Sequence, residues 1–311
     1  MDRRSLPLLG AALFCLLALL LAPDAGAQAA RGALALCCET VIPALFPFFV
    51  LSSLLVSCGA GELLAPLLAP LMRPLFGLSG AGAAALALGL CGGYPVGART
   101  SAELVSSGAV EREEGERLLI FCNNAGPGFL LGICGGAVFH SPRAGAALYL
   151  IHAASALCSG ILLCRALPPL PPEARRRVQQ PRRDLSAAFP AAVQGALAGV
   201  LNVCAFVVFF TVLSHLLLRF LPAPLALPLP RAALLGALEL TSGVTALPDS
   251  RSGFLLCAAM LGWGGWSVHC QTLGALSASP LTGRYYLRGK AVQAVLSLLL
   301  ALPALPVLFP K

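Results

Sequence analysis

Residues 89–104 read GLCGGYPVGARTSAEL. Four glycines, a proline, an arginine and a glutamate interrupt an apolar stretch, 78–108, that is otherwise rich in Leu and Ala. Gly92, Gly93 and Gly97 admit positive φ and close backbone approach, and Pro95 stops a helix from re-forming. At membrane depth such a break survives only where protein or a watery cavity surrounds it. The composition puts this break in a membrane. The 311 residues are 58 % hydrophobic and 11 % charged, with a mean hydropathy of +0.86. A soluble chain carries roughly 45–50 % apolar and about 25 % charged residues. Too little polar surface remains to cover a water-facing globule, so the chain reads as a multi-pass protein integral to a cell membrane.

The net charge of +8 does not imply nucleic acid, because the arginines sit in short polar intervals between apolar runs. Most of the twelve cysteines, among them Cys15, Cys37, Cys122, Cys134, Cys158, Cys204 and Cys257, lie inside apolar runs without metal-ligand spacing. No metal site is expected. Nucleophile-elbow, HExxH and phosphate-loop motifs are missing from the sequence, so an enzyme is not expected either. No cofactor is called for, and the coupling ion, H⁺ or Na⁺, is unassigned. Residues 1–30 resemble a signal peptide in layout but read as a first anchoring helix, since many spans follow.

Apolar runs at 5–22, 35–58, 117–139, 144–165, 191–218, 253–278 and 291–309 are each long enough to cross ~30 Å of hydrocarbon. The interval 165–184 is the most basic and belongs in the cytoplasm. Counting outward from it places Arg3, Arg4, Arg73, Arg112, Arg117, Arg284, Arg288 and Lys290 on the same side, provided that 78–108 and 231–248 each enter and leave by one face. The expected architecture is all-α, with about seven transmembrane helices and two re-entrant hairpins. A long helix, a hairpin and a Gly-rich helix recur in the same order in 31–164 and 185–311, joined by the linker 165–184. Opposite entry faces make these halves an inverted repeat of the kind that builds a transporter site near the bilayer midplane.

The candidate binding residues follow from that geometry. They are Gly92, Gly93, Tyr94, Pro95 and Gly97 at the first hairpin; Asn123 and Asn124 in NNAGPG; Glu239, Thr241 and Ser242 in LELTSG; and Ser267, His269 and Gln271 in WSVHCQ. Carboxamides and carboxylates at membrane depth are costly unless they face a cavity or a partner. Arg99 is a charge partner, either for a ligand or for Glu103 one helical turn away. Glu39 reads as a dipole-complementing acid at a helix start. Trp263 and Trp266 read equally as ligand-stacking or interface residues, His140 as solvated, and His152 and His215 as structural.

The strings GGYPVGARTSAEL, EGERLLIFCNNAGPGFLLGICGG, LELTSG and GWGGWSVHCQ resemble the YlbJ family of sporulation integral membrane proteins, over about Glu39 to Gly289. That family lies within the nucleoside-recognition, or Gate-domain, group, which is similar in architecture to concentrative nucleoside transporters. The resemblance implies a carrier of a small polar or anionic solute, with dipicolinate the candidate, in the outer forespore membrane. A nucleoside carrier and a non-transporting scaffold for spore formation are the alternatives. The expected partners are the solute and the lipid bilayer, with a homo-oligomer left open.

Overall fold

The computed structural model describes residues 6–58, 60–170, 185–219 and 227–310. Arg3, Arg4, Lys311 and positions 171–184 of the basic linker lie outside the described residues. The described residues are mostly helical, with no strand among them.

Pro23 at the start of α2 (Pro23–Leu36) cannot continue α1 (Leu6–Leu21), and the two helices meet at 105°. A π turn, Cys37–Val41, carries α2 into α3 (Ile42–Ser57) with helical dihedrals at every junction. Glu39 sits exposed on this turn, inside a continuous rod and not at a helix start. Next comes α4 (Ala60–Phe76), a helix outside the runs read as spans. Its Pro66, Pro70 and Pro74 recur every four residues and so share one face.

The stretch 78–108 folds back on itself as α5 (Ala83–Gly92) and α6 (Val96–Ser106). Gly93, with φ of +83°, makes the turn, and the Val96 amide donates to the Gly93 carbonyl at 2.8 Å. The run 117–139 is not one helix. It divides into α7 (Arg112–Leu118), a non-helical passage over 119–126, and a π-helical segment, Gly128–Val138. The Asn-Asn-Ala-Gly-Pro sequence supplies the break that its apolar flanks conceal. Then α8 (Pro142–Ala166) starts where the Ser141 hydroxyl accepts from the Ala144 amide.

The second half opens on α9 (Leu185–Arg219). Helices α10 (Pro228–Leu238) and α11 (Leu240–Thr245) form its hairpin, with Glu239 at the tip. The run 253–278 breaks into α12 (Arg251–Trp263) and α13 (Gly265–Leu276) at Gly264, whose φ of +92° ends α12 in the left-handed region. Helix α14 (Tyr286–Ala301) and the short α15 (Leu305–Leu308) close the described chain.

Helix α9 packs on α2 and α3; α14 packs on α8 and α12; the π-helical segment packs on α8. Small residues let backbones touch, Gly135 against Gly145 and Gly262 against Ala294. The outside is apolar and much of the inside is polar. On α8, Leu150 is 68 % and Leu162 55 % exposed, whereas His152, Ser155 and Ser159 are buried. That inversion of the water-soluble pattern suits a lipid surround. Helices α8, Ala187–Arg219 of α9 and Tyr286–Leu308 are each long and apolar enough to cross a membrane. Two bent pairs, α1 with α2 and α4 with α5, bring the candidate spans among the described residues to 5 at most by length and composition.

The two halves are also joined at a polar edge. Glu116, only 1 % exposed, accepts from the Thr282 amide at 2.6 Å, the Thr282 hydroxyl at 2.8 Å and the Arg284 amide at 3.1 Å. Glu113 pairs beside it with Arg117 and Arg284.

Candidate functional site

The first hairpin is positioned by glycine. A Cβ on either Gly89 or Gly97 would collide with the Cys122 carbonyl, so α5 and α6 straddle the broken segment at backbone contact. One step further, a Cβ on Gly93 would lie 3.0 Å from the Gly126 amide. The tip, Gly93-Tyr94-Pro95, is thereby held against the Asn-Asn-Ala-Gly break. Gly97 thus has a packing role and lines none of the three described cavities.

The second tip is positioned by charge. Glu239, 3 % exposed, accepts from the Thr241 amide at 3.1 Å and the Ser242 amide at 2.7 Å, capping α11 with its carboxylate. Beneath it, a Cβ on Gly265 would meet the Gly236 carbonyl at 2.7 Å, which seats the α12–α13 break on α10.

Both tips, the first break and α13 border one cavity of about 400 Å³. Gly92, Gly93 and Tyr94 come from the first tip and Ala125–Gly128 from the first break. Glu239, Leu240 and Thr241 come from the second tip, and Val268 and Gln271 from α13. Apolar side chains of α3 and α9, including Leu45, Phe48, Val203 and Val207, complete the wall. A pocket of this size with few polar groups suits a small organic solute. The Glu239 carboxylate uses two of its roughly four acceptor positions on backbone amides. Among the described residues it has no ion-pair partner.

Two larger cavities flank this one. The first, of about 790 Å³, lies between α3, α6, α9 and α13 and reaches Pro95. The second, of about 730 Å³, is lined by α2, the end of α9, Arg231 and the second hairpin, and shares Thr241 with the central cavity. Ser242 faces the second and not the centre. Arg99 borders the first but is engaged locally. It pairs with Glu103 at 3.0 Å, donates to Ser53 at 3.1 Å and to the Gly195 carbonyl at 2.8 Å, and lies 5.2 Å from the Phe49 ring centre.

Behind the first tip lies a buried polar network that the sequence reading placed only in part. Lys290, assigned there to a cytoplasmic interval, is instead fully buried in α14. Its ammonium donates to Gln293 Oε1 at 2.6 Å, the Asn123 carbonyl at 3.0 Å and Tyr94 Oη at 3.2 Å. The Gln293 amide donates to Asn124 Oδ1 at 3.1 Å, and Asn123 Nδ2 donates to Thr272 Oγ1 at 2.8 Å. Thr272 and His269 both meet the Tyr286 hydroxyl at 3.1 Å. His152 Nε2 accepts from the Ala125 amide at 3.0 Å. Asn123, Asn124 and His269 therefore support the site from behind, and none of the three borders a described cavity. Ser267, bonded to Gln271 at 3.1 Å, likewise stands one layer back. Trp263 and Trp266 turn edge-on to His269 and line no described cavity. Lys290, Gln293, Tyr286 and Thr272 were not singled out from the sequence. Lys290 and Gln293 stand three apart and share a helix face, which was the available signal.

The fold and this site define an integral membrane protein whose polar interior is assembled from broken helices. Its position among known proteins agrees. Residues 38–162 match the Gate family, described as nucleoside recognition. Over 320 residues, covering 88 % of this chain and 76 % of the relative, the sequence is 27 % identical to the sporulation integral membrane protein YlbJ of Bacillus subtilis (strain 168). The resemblance carried by the GYPVGA and SVHCQ motifs is thus shown over most of the chain. No solved structure matches it.

Proposed function

We propose that the protein carries a small polar or anionic solute across the membrane by alternating access. In this reading the two halves form an inverted repeat, and each moves its hairpin relative to the central cavity. One observation carries the proposal: both hairpin tips, the first helix break and α13 converge on a single cavity with a larger cavity on either flank. A scaffold has no need of such convergence, whereas a carrier needs a midplane site with a route to each side. The similarity to a sporulation protein supports a role in spore formation, with dipicolinate the first solute to test.

The test is flux into sealed vesicles holding the purified protein, with dipicolinate and uridine compared side by side. Saturable uptake of dipicolinate, lost in Glu239→Gln and Asn124→Ala at normal protein abundance, is the expected result. Uptake of uridine alone would replace the solute by a nucleoside. No uptake of either, together with a sporulation defect in cells lacking the protein, would move the assignment to a scaffold.

A further inference from the structure

We propose that Lys290 is a proton-binding site whose occupancy is tied to docking of the first hairpin, so that solute movement is coupled to protons. The coupling to solute rests on the carrier reading above; the link between proton and hairpin does not.

The ammonium of Lys290 has no carboxylate partner: the ion pairs among the described residues are Arg99–Glu103, Arg117–Glu113 and Arg284–Glu113. It is held by three neutral oxygens and by the Tyr94 ring at 5.0 Å. Two of those oxygens, Tyr94 Oη and the Asn123 carbonyl, belong to the first half, and Gln293 alone shares its helix. The titratable groups around it are Tyr94 on the hairpin, Cys122 on the broken segment, His152 on α8, His269 on α13 and Tyr286 on α14. Packed against α14 from another side, α12 offers Cys257 and, at its start, Arg251 bound to the Phe309 carbonyl. None of these groups is a carboxylic acid.

A buried charge persists only while polar groups hold it. Withdrawing the tip from α14 removes the Tyr94 hydroxyl and its ring together, leaving only the Asn123 carbonyl and Gln293. The amine form then avoids an unbalanced charge, and the proton leaves to water. The docked arrangement therefore holds a proton that the undocked one releases, and the two equilibria shift each other. Two further atoms fit a site that proton carriers visit. His152 Nδ1 and His269 Nε2, one in each half, are buried without a hydrogen-bond partner among the described residues.

Cys91 reports on the hairpin without any solute, because it is exposed and borders the central cavity at the end of α5. Full-length protein in vesicles is alkylated with a small maleimide between pH 6 and pH 9, and the Cys91 peptide is quantified by mass spectrometry. The informative quantity is the ratio of the wild-type rate to that of Lys290→Met, in which the thiol's own ionisation cancels. We expect this ratio to change several-fold across the range, and Tyr94→Phe to move its midpoint to lower pH. A constant ratio overturns the proposal. Should Lys290→Met fail to fold, Lys290→Arg, whose charge cannot be released, serves as the reference with the same expectation. In a parallel arm, wild-type vesicles are loaded with dipicolinate or uridine and a pH gradient is imposed. Flux that ignores the gradient overturns the coupling, whereas no flux at all counts against the carrier reading and leaves the Cys91 ratio to decide on Lys290.

Discussion

The two hairpin tips reach the same cavity by opposite means. The first brings no charge: Gly92, Gly93 and Tyr94 border the cavity, and Gly89 and Gly97 bring its legs into backbone contact with Cys122. The second carries a carboxylate, Glu239, which both caps its own short helix and faces the cavity. The first tip is thus fixed by shape, and its chemistry comes from the Lys290 network behind it. The second tip brings its chemistry with it and is fixed by hydrogen bonds. Shared chain layout therefore does not mean shared work, and substitutions should separate the two.

The largest effect belongs to the glycines. Gly97→Val or Gly89→Val pushes a side chain into the Cys122 carbonyl, with an expected loss of more than about 4 kcal/mol, enough to prevent folding. The check is the yield of monodisperse protein in detergent; normal yield would show that the first tip is not shape-fixed. Lys290→Ala follows, because it strips Gln293 Oε1 and the Asn123 carbonyl of their donor. It should cost about 2–4 kcal/mol by thermal unfolding. Glu239→Ala should cost only about 1 kcal/mol for the lost cap while eliminating flux. A large flux loss with a small stability loss would set the second tip apart from the first; equal losses would erase the distinction. Smallest is Glu103→Gln, which breaks a partly exposed pair one turn along α6. It should shift stability by at most about 0.5 kcal/mol and leave flux unaltered.

The hairpins were legible because Gly and Pro mark breaks with no other purpose in an apolar run, as in GGYPVG. The break at 119–126 was half legible. NNAGPG announces an unwound turn, yet LLIF before it and FLLGI after it have the hydropathy of one continuous span. Helix α4 was hidden by Pro66, Pro70 and Pro74, which argue against a helix taken singly and are tolerated when they share a face. Lys290 was misplaced for an instructive reason. It follows Arg284 and Arg288, and the positive-inside count absorbed it as a third cation of the same interval. Hydropathy ranks a residue by its type and knows nothing of acceptors supplied 167 and 196 positions earlier.

Glu116 settles the order in which this chain can be completed. Its three donors lie 166 to 168 residues downstream, so the ribosome delivers the acid long before anything exists to receive it. Until the final helices are inserted, the early half holds a naked carboxylate at its rim. A nascent protein cut off before Thr282 is therefore a marked molecule, open to water at the very point where the finished one is sealed.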